Sequence, residues 1–233
     1  MSHKTSHKTA GITHHIVQRG FDGDQCFSIE DDYLVYLDCL KEEAERHRCQ
    51  VHAYVLLPDR VHLLASSDTE HRLCAMMRNV CRRYVEYVNY VHQRNGTLWA
   101  RRESSVVDSQ QSLLACYRAI ESYPVRSGIA ESPTDYRWSS HNHHALGCED
   151  IVTRDHPAYL ALGKTGCERQ LAYCESFRQP LDERLTGEIG TSIAFGRAPA
   201  PVLVSDDVDW LAPQAQPRRS ARPRTTSHAT AAF

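Results

Sequence analysis

Two rhythms of apolar residues run along this chain. Residues 11–19 read as a strand, and Tyr33, Leu37, Leu40 and Ala44 then recur at helical spacing, predicting a helix over Glu30 to His47 with one buried face. Val51 to Leu57 and Arg60 to Ser66 read as two strands turned at Pro58-Asp59, a hairpin with suitable turn chemistry. Leu73, Met76, Met77, Val80, Tyr84, Tyr87 and Val91 make a longer helical stripe, whose aromatics fit core packing better than base stacking. Thr97 to Asp108 is expected to return as a strand and Ser109 to Ser122 as a third helix. Strand, helix, two strands, helix, strand is the order of a ferredoxin-like α+β sandwich, with an antiparallel sheet and helices on one face.

The hairpin carries the most chemical information. It reads Tyr54-Val55-Leu56-Leu57-Pro58-Asp59-Arg60-Val61-His62-Leu63-Leu64. Side chains alternate along a strand, so Arg60 and His62 project to one face and Val61 and Leu63 to the other. His62 can ligate a metal. Arg60 keeps its charge and has no lone pair to give.

Five ordered segments support a resemblance. They are residues 11–20, ending Gln18-Arg19-Gly20; the hairpin; Gly96-Thr97-Leu98-Trp99 with Ser104-Ser105-Val106-Val107-Asp108; Leu113 through Arg126; and Asp135-Tyr136-Arg137-Trp138-Ser139-Ser140. In this order the sequence resembles the REP-associated tyrosine transposases, single-tyrosine enzymes with a histidine, apolar, histidine metal strand. The resemblance implies the same ferredoxin-like fold and a partner that is single-stranded or hairpin DNA of palindromic repeats. It also implies a divalent metal (Mg or Mn) that neutralises charge on a scissile phosphate. A helix tyrosine would attack that phosphate and become joined to the DNA 5′ end.

Carried over by motif, the chemical positions have changed. Arg60 stands at the first histidine and His62 at the second. The helix aligns on Pro124-Val125. That puts Ala119 at the nucleophile and Tyr123, one turn on, at the polar residue completing the metal shell. Ala119 has no group able to attack phosphorus. The expected protein is a DNA-binding member of the family that has lost strand cleavage. Two other readings stand beside it. One is a rewired nuclease with Tyr123 as nucleophile and Arg60 gripping the phosphate in place of the cation. The other is a protein-interaction module that no longer binds DNA. Tyr117 lies off the face of residue 119 and is assigned to the core, and Asp59 is assigned to the turn.

Composition narrows this only locally. A formal charge of -2 over 233 residues gives no whole-chain signature of nucleic-acid binding, but arginines cluster. Arg60, Arg78, Arg82, Arg83, Arg101 and Arg102 are the expected DNA contacts, each also readable as a solvated surface charge. The nine cysteines contain no Cys-x-x-Cys pair and are expected to be reduced. His141, His143 and His144 are read as a solvated loop outside the site. No apolar run approaches the roughly 20 residues of a membrane span, and no signal-peptide core precedes residue 11, so a cytoplasmic protein is expected. Four segments follow: a flexible tail (1–10), the transposase-like domain (11–147), a helical extension (148–198) and a basic tail (199–233) too rich in proline, alanine, arginine and threonine to order.

Overall fold

A computed structural model describes residues 11–179 of the chain. The expected tails, and the extension from residue 180 on, lie outside the described residues. Four strands, β1 (Ile12–Arg19), β2 (Gln50–Leu57), β3 (Arg60–Ser67) and β4 (Glu103–Val106), form one sheet in the order β2-β3-β1-β4. Every neighbouring pair is antiparallel. Helix α1 (Glu30–His47) follows β1, and α2 (Glu70–Val91) follows β3. This is the α+β, ferredoxin-like order that the periodicity predicts. After β4 come α3 (Gln110–Glu121), α4 (Tyr123–Arg126), α5 (His141–Leu146), α6 (Pro157–Leu160) and α7 (Gly166–Arg178).

Local chemistry sets the boundaries. The Asp32 carboxylate accepts from the Ser28 and Ile29 amides at 2.8 and 3.1 Å, satisfying donors exposed where α1 begins. Ser109 caps α3 by accepting from the Ser112 amide at 3.0 Å, and Thr165 with Glu168 forms a reciprocal capping box on α7. The hairpin turns at Pro58-Asp59, with Leu57 opposite Arg60. The turn is itself docked: the Asp59 carbonyl accepts from the Gly20 amide at 2.8 Å and the Pro58 carbonyl from the Cys26 amide at 2.6 Å.

The sheet separates two cores. On one face α1 and α2 pack on each other and on β2 and β3. There Phe27, Tyr36, Tyr84 and Trp99 meet with ring centroids 5.1–6.3 Å apart, at the edge-on and tilted angles aromatic quadrupoles favour. On the other face Ala53, Val55, Leu57 and Leu64 meet Leu113, Cys116, Tyr117 and Ile120 of α3, with Tyr159 of α6 and Tyr173 of α7 in the same cluster. Helices beyond the βαββαβ unit thus cover the second face. Tyr117 is core, as its position on α3 implied. All nine cysteines lie among the described residues and none is in a disulfide.

Two expectations need correction. The strand expected over 97–108 shrinks to Glu103–Val106. Before it, an isolated bridge joins Trp99 to Gly20, with Leu98 and Trp99 both buried. The third helix runs Gln110–Glu121 between its caps Ser109 and Ser122, as expected. Pro124 has no amide to continue the ladder, and α4 restarts at Tyr123. Lastly, His141–His144 is no solvated loop. It forms most of α5, with His141 and His144 buried and only His143 partly open.

Trp99 lies at the centre of the first core. Trp99→Ala should lower unfolding free energy by about 3–5 kcal/mol, read as a drop in urea midpoint at unchanged slope. A loss under about 1 kcal/mol would mean that the aromatic cluster is not a packed core.

Candidate functional site

Strand β3 aims Arg60 and His62 at the α3 face of the sheet, and α4 brings Tyr123 over both. The Arg60 guanidinium donates from Nη1 to the Tyr123 hydroxyl at 3.1 Å. It also grips the Asp59 carboxylate through Nε at 3.1 Å and Nη2 at 2.6 Å, and its central carbon lies 5.8 Å from the Tyr123 ring centroid. The His62 ring is 4.9 Å from that of Tyr123. The turn residue Asp59 therefore has a partner, and that partner is the site arginine. Both charged side chains keep a solvent face, 25% exposed for Arg60 and 35% for Asp59.

Beneath this pair lies a second histidine. His15 of β1 reaches His62 from the neighbouring strand, with Nε2 3.2 Å from His62 Nδ1 and the rings stacked at 12°. Val17 is the residue directly opposite His62, so His15 meets it diagonally, within cross-strand reach. Both imidazoles are fully buried. Burial holds His62 well below the ordinary histidine range, and the cations of Arg19, Arg60 and Arg126 and the neighbouring His15 push the same way. His15 falls to about 4, by burial first and Arg19 second. Two neutral rings share one hydrogen bond, which leaves His62 Nε2 and His15 Nδ1 buried without a partner.

These residues do not suit a hard divalent cation. Mg²⁺ and Mn²⁺ prefer oxygen ligands, and the nearby carboxylates are engaged by arginines, Asp59 by Arg60 and Glu103 by Arg19 at 3.7 Å. Two imidazole nitrogens remain, among three guanidinium charges that oppose a further dication. What the arrangement suits is an anion: Arg60 has solvent access, a planar donor fork and a phenol beside it.

The other expected residues are scattered. Ala119 is fully buried in the second core. Arg78, Arg82 and Arg83 lie on α2, across the sheet from Tyr123. Arg83 pairs across to α1, with Glu42 at 2.7 Å and the buried Glu43 at 3.0 Å. Arg82 reaches Glu86 loosely at 3.9 Å. Arg101 is exposed and Arg102 partly so, beside the edge strand. The arginines whose charge reaches His62 are instead Arg19, Arg60 and Arg126. The sequence pattern does not single out Arg19, Arg126 or His15 as site residues. The clue for His15 was its odd-numbered place on β1, usable only once the strand register is known.

Glu121 ends α3 and holds the site in place. Its buried carboxylate accepts from Ser140 Oγ at 2.6 Å, Tyr173 OH at 2.6 Å, and His141 Nδ1 and His144 Nδ1 at 3.2 and 2.7 Å. Burial alone would raise its pKa, but His144, then His141, outweigh that and hold the carboxyl below its usual range.

No protein-family model and no curated protein matches this chain. Solved structures do match. One is a REP-associated tyrosine transposase bound to a REP hairpin: TM-score 0.51 and 15% identity, over 68% of this chain and 96% of that one. Another is a candidate transposase from Deinococcus radiodurans R1: TM-score 0.37 and 18% identity, over 48% of this chain and 91% of that one. At such identities the likeness is one of fold, and the first match carries it. Among the described residues, no helix is long and apolar enough to cross a membrane.

The buried histidines give an expected pH dependence. His15 and His52 both fall to about 4 in the fold through burial, whereas an unfolded imidazole titrates near about 6.5. Between those values the unfolded chain binds more protons, so stability rises with pH there. It is full above about 6.5 and is lost as pH falls toward 4, by up to about 1.4 kcal/mol per unit for each histidine. Glu121 extends the loss below the unfolded carboxylate range. Urea midpoints measured from pH 7.5 to 4 should fall through this window, and a flat profile would mean that these rings are hydrated.

Proposed function

We propose that this chain is a transposase-like DNA-binding protein that holds hairpin or single-stranded DNA by its phosphates and does not cut it. The observation that carries the reading is the Arg60 guanidinium, which sits between Asp59 and Tyr123 above a buried histidine pair. In the resembling family that strand position belongs to the first metal-binding histidine. The neighbour of known structure, itself bound to a REP hairpin, shares the fold and supports the choice of DNA by analogy only.

On this reading Arg60 does for binding what a metal does for catalysis. A metal polarises a phosphate and stabilises charge that grows during attack. A guanidinium grips the ground-state phosphate through two donors and lends affinity without a nucleophile. Arg19 and Arg126 add to the local positive field. Of the other expected contacts, Arg101 and Arg102 at the edge strand and Arg78 and Arg82 on α2 serve longer DNA that wraps past the sheet edge. Ala119, taken as the lost nucleophile position, explains why the strand stays intact.

One observation favours a second reading. The Tyr123 hydroxyl accepts a hydrogen bond from the Arg60 guanidinium at 3.1 Å, which places a phenol beside a group able to bind a phosphate. In a rewired nuclease Tyr123 is the nucleophile and Arg60 the electrophilic partner. A denaturing gel separates the two. End-labelled hairpin DNA, incubated with protein and Mg²⁺ or Mn²⁺, should stay full length, with no protein-linked band, while a native gel shows a shifted complex. A covalent adduct lost on Tyr123→Phe would establish the second reading. Absence of any shift, together with a stable protein partner, would favour an interaction module.

A further inference from the structure

Away from Arg60 and His62, a second cluster of ligating side chains has formed. His143 and His144 of α5 and Asp155 each offer one ligand atom, all within 4.8 Å of one another. Their remaining polar atoms are already arranged as a metal centre requires. His144 Nδ1 lies 2.7 Å from the Glu121 carboxylate, and His143 Nδ1 lies 2.9 Å from the Cys148 carbonyl. A ligating histidine nearly always donates its other nitrogen to such an acceptor, which fixes the ring and its tautomer. Nε2 is then the nitrogen left to each ring.

In both rings that nitrogen is poised. His144 is fully buried, and its Nε2 has no hydrogen-bond partner. A buried, unsatisfied imidazole lone pair is costly, and a cation would satisfy it. His143 Nε2 lies 3.1 Å from Asp155 Oδ1, so its second nitrogen and the carboxylate already share a proton where both could share an ion. The backbone beside Asp155 is pinned. The Arg154 amide donates to the Val51 carbonyl at 2.8 Å, and His52 Nδ1 donates to the Arg154 carbonyl at 2.7 Å. The cluster is also reachable, for His143 and Asp155 keep 24% and 30% of their side chains exposed.

We infer that His143, His144 and Asp155 form a binding site for a zinc-class divalent cation, with water in the remaining coordination place. Two imidazole nitrogens and one carboxylate oxygen are a donor set for zinc or cobalt rather than for magnesium. Three protein ligands and an open position match zinc sites that keep a water. The site shares no residue with the Arg60 centre, so it stands whether or not this chain binds DNA. Through Glu121 the ion would tie α5 and the 148–155 segment to α3.

The test uses the full chain, stripped with a chelator and titrated with Co²⁺ and then Zn²⁺. The expected result is one Co²⁺ per chain with the visible bands of a nitrogen and oxygen site, no thiolate charge-transfer band, displacement by Zn²⁺, and a rise in Tm. Asp155→Asn keeps the side-chain shape and should lower the affinity at least about tenfold, as should His143→Ala. Removing the buried His144 risks the fold, which is why the partly open ligands are chosen. As a control, replacing an exposed histidine of α2, His71→Ala, should leave Co²⁺ binding unchanged. No binding, binding unaltered by both variants, or a thiolate band abolished by Cys148→Ser would overturn the assignment, the last marking an adventitious ion only.

Discussion

A carboxylate with no exposed surface has to find donors inside the protein, and Glu121 finds four, from Ser140, His141, His144 and Tyr173. Losing one partner of such a buried, charged group typically costs about 3–5 kcal/mol, because the charge left behind is uncompensated. The network therefore fixes more than its own residues. It joins α3, the Ser139-Ser140 segment, α5 and α7 around one point. The Ser140 hydroxyl also meets the Tyr54 amide at 2.9 Å, so the point is anchored to the sheet. Tyr123 begins α4 two residues beyond Glu121. Its place over Arg60 and His62 follows from the end of α3 being immovable.

The second constraint is electrostatic. Arg19, Arg60 and Arg126 surround a pair of histidines that burial already keeps neutral. A metal strand needs the reverse, neutral ligands in a site whose net charge invites a cation. On the proposed reading, an arginine where a metal-binding strand would carry a histidine does more than remove a ligand. Arg60 brings a permanent charge, pairs with Asp59 and meets the Tyr123 hydroxyl. On that same reading, the change that removes a metal ligand favours binding of an anion.

Much of the fold was legible because periodicity carries it. The helical stripe from Tyr33 to Ala44, the alternation in β3 and the turn at Pro58-Asp59 each follow from local spacing. The shared face of Arg60 and His62 followed too, since it needs nothing beyond the period of a strand. Three features depended on pairings that a sequence does not display. His15 meets His62 only through the β1–β3 register. The histidines of α5 look like a polar loop until Glu121 is found buried against them. Arg83 resembles any exposed helix arginine until α1 supplies Glu42 and Glu43. In each case the missing information was a partner distant in sequence, and a buried polar residue cannot be told from an exposed one without it.

The central claim is that Arg60 holds a phosphate where a metal-dependent relative would hold a cation. The most direct measurement is the affinity for a single-stranded hairpin DNA as a function of salt, in the presence of chelator, for the native chain and Arg60→Ala. The account predicts metal-independent binding that Arg60→Ala weakens by about tenfold, with the slope of log affinity against log salt shallower by roughly 0.7–0.9, as loss of one phosphate contact requires. An unchanged affinity and slope in Arg60→Ala, or binding that disappears with the chelator, would contradict it.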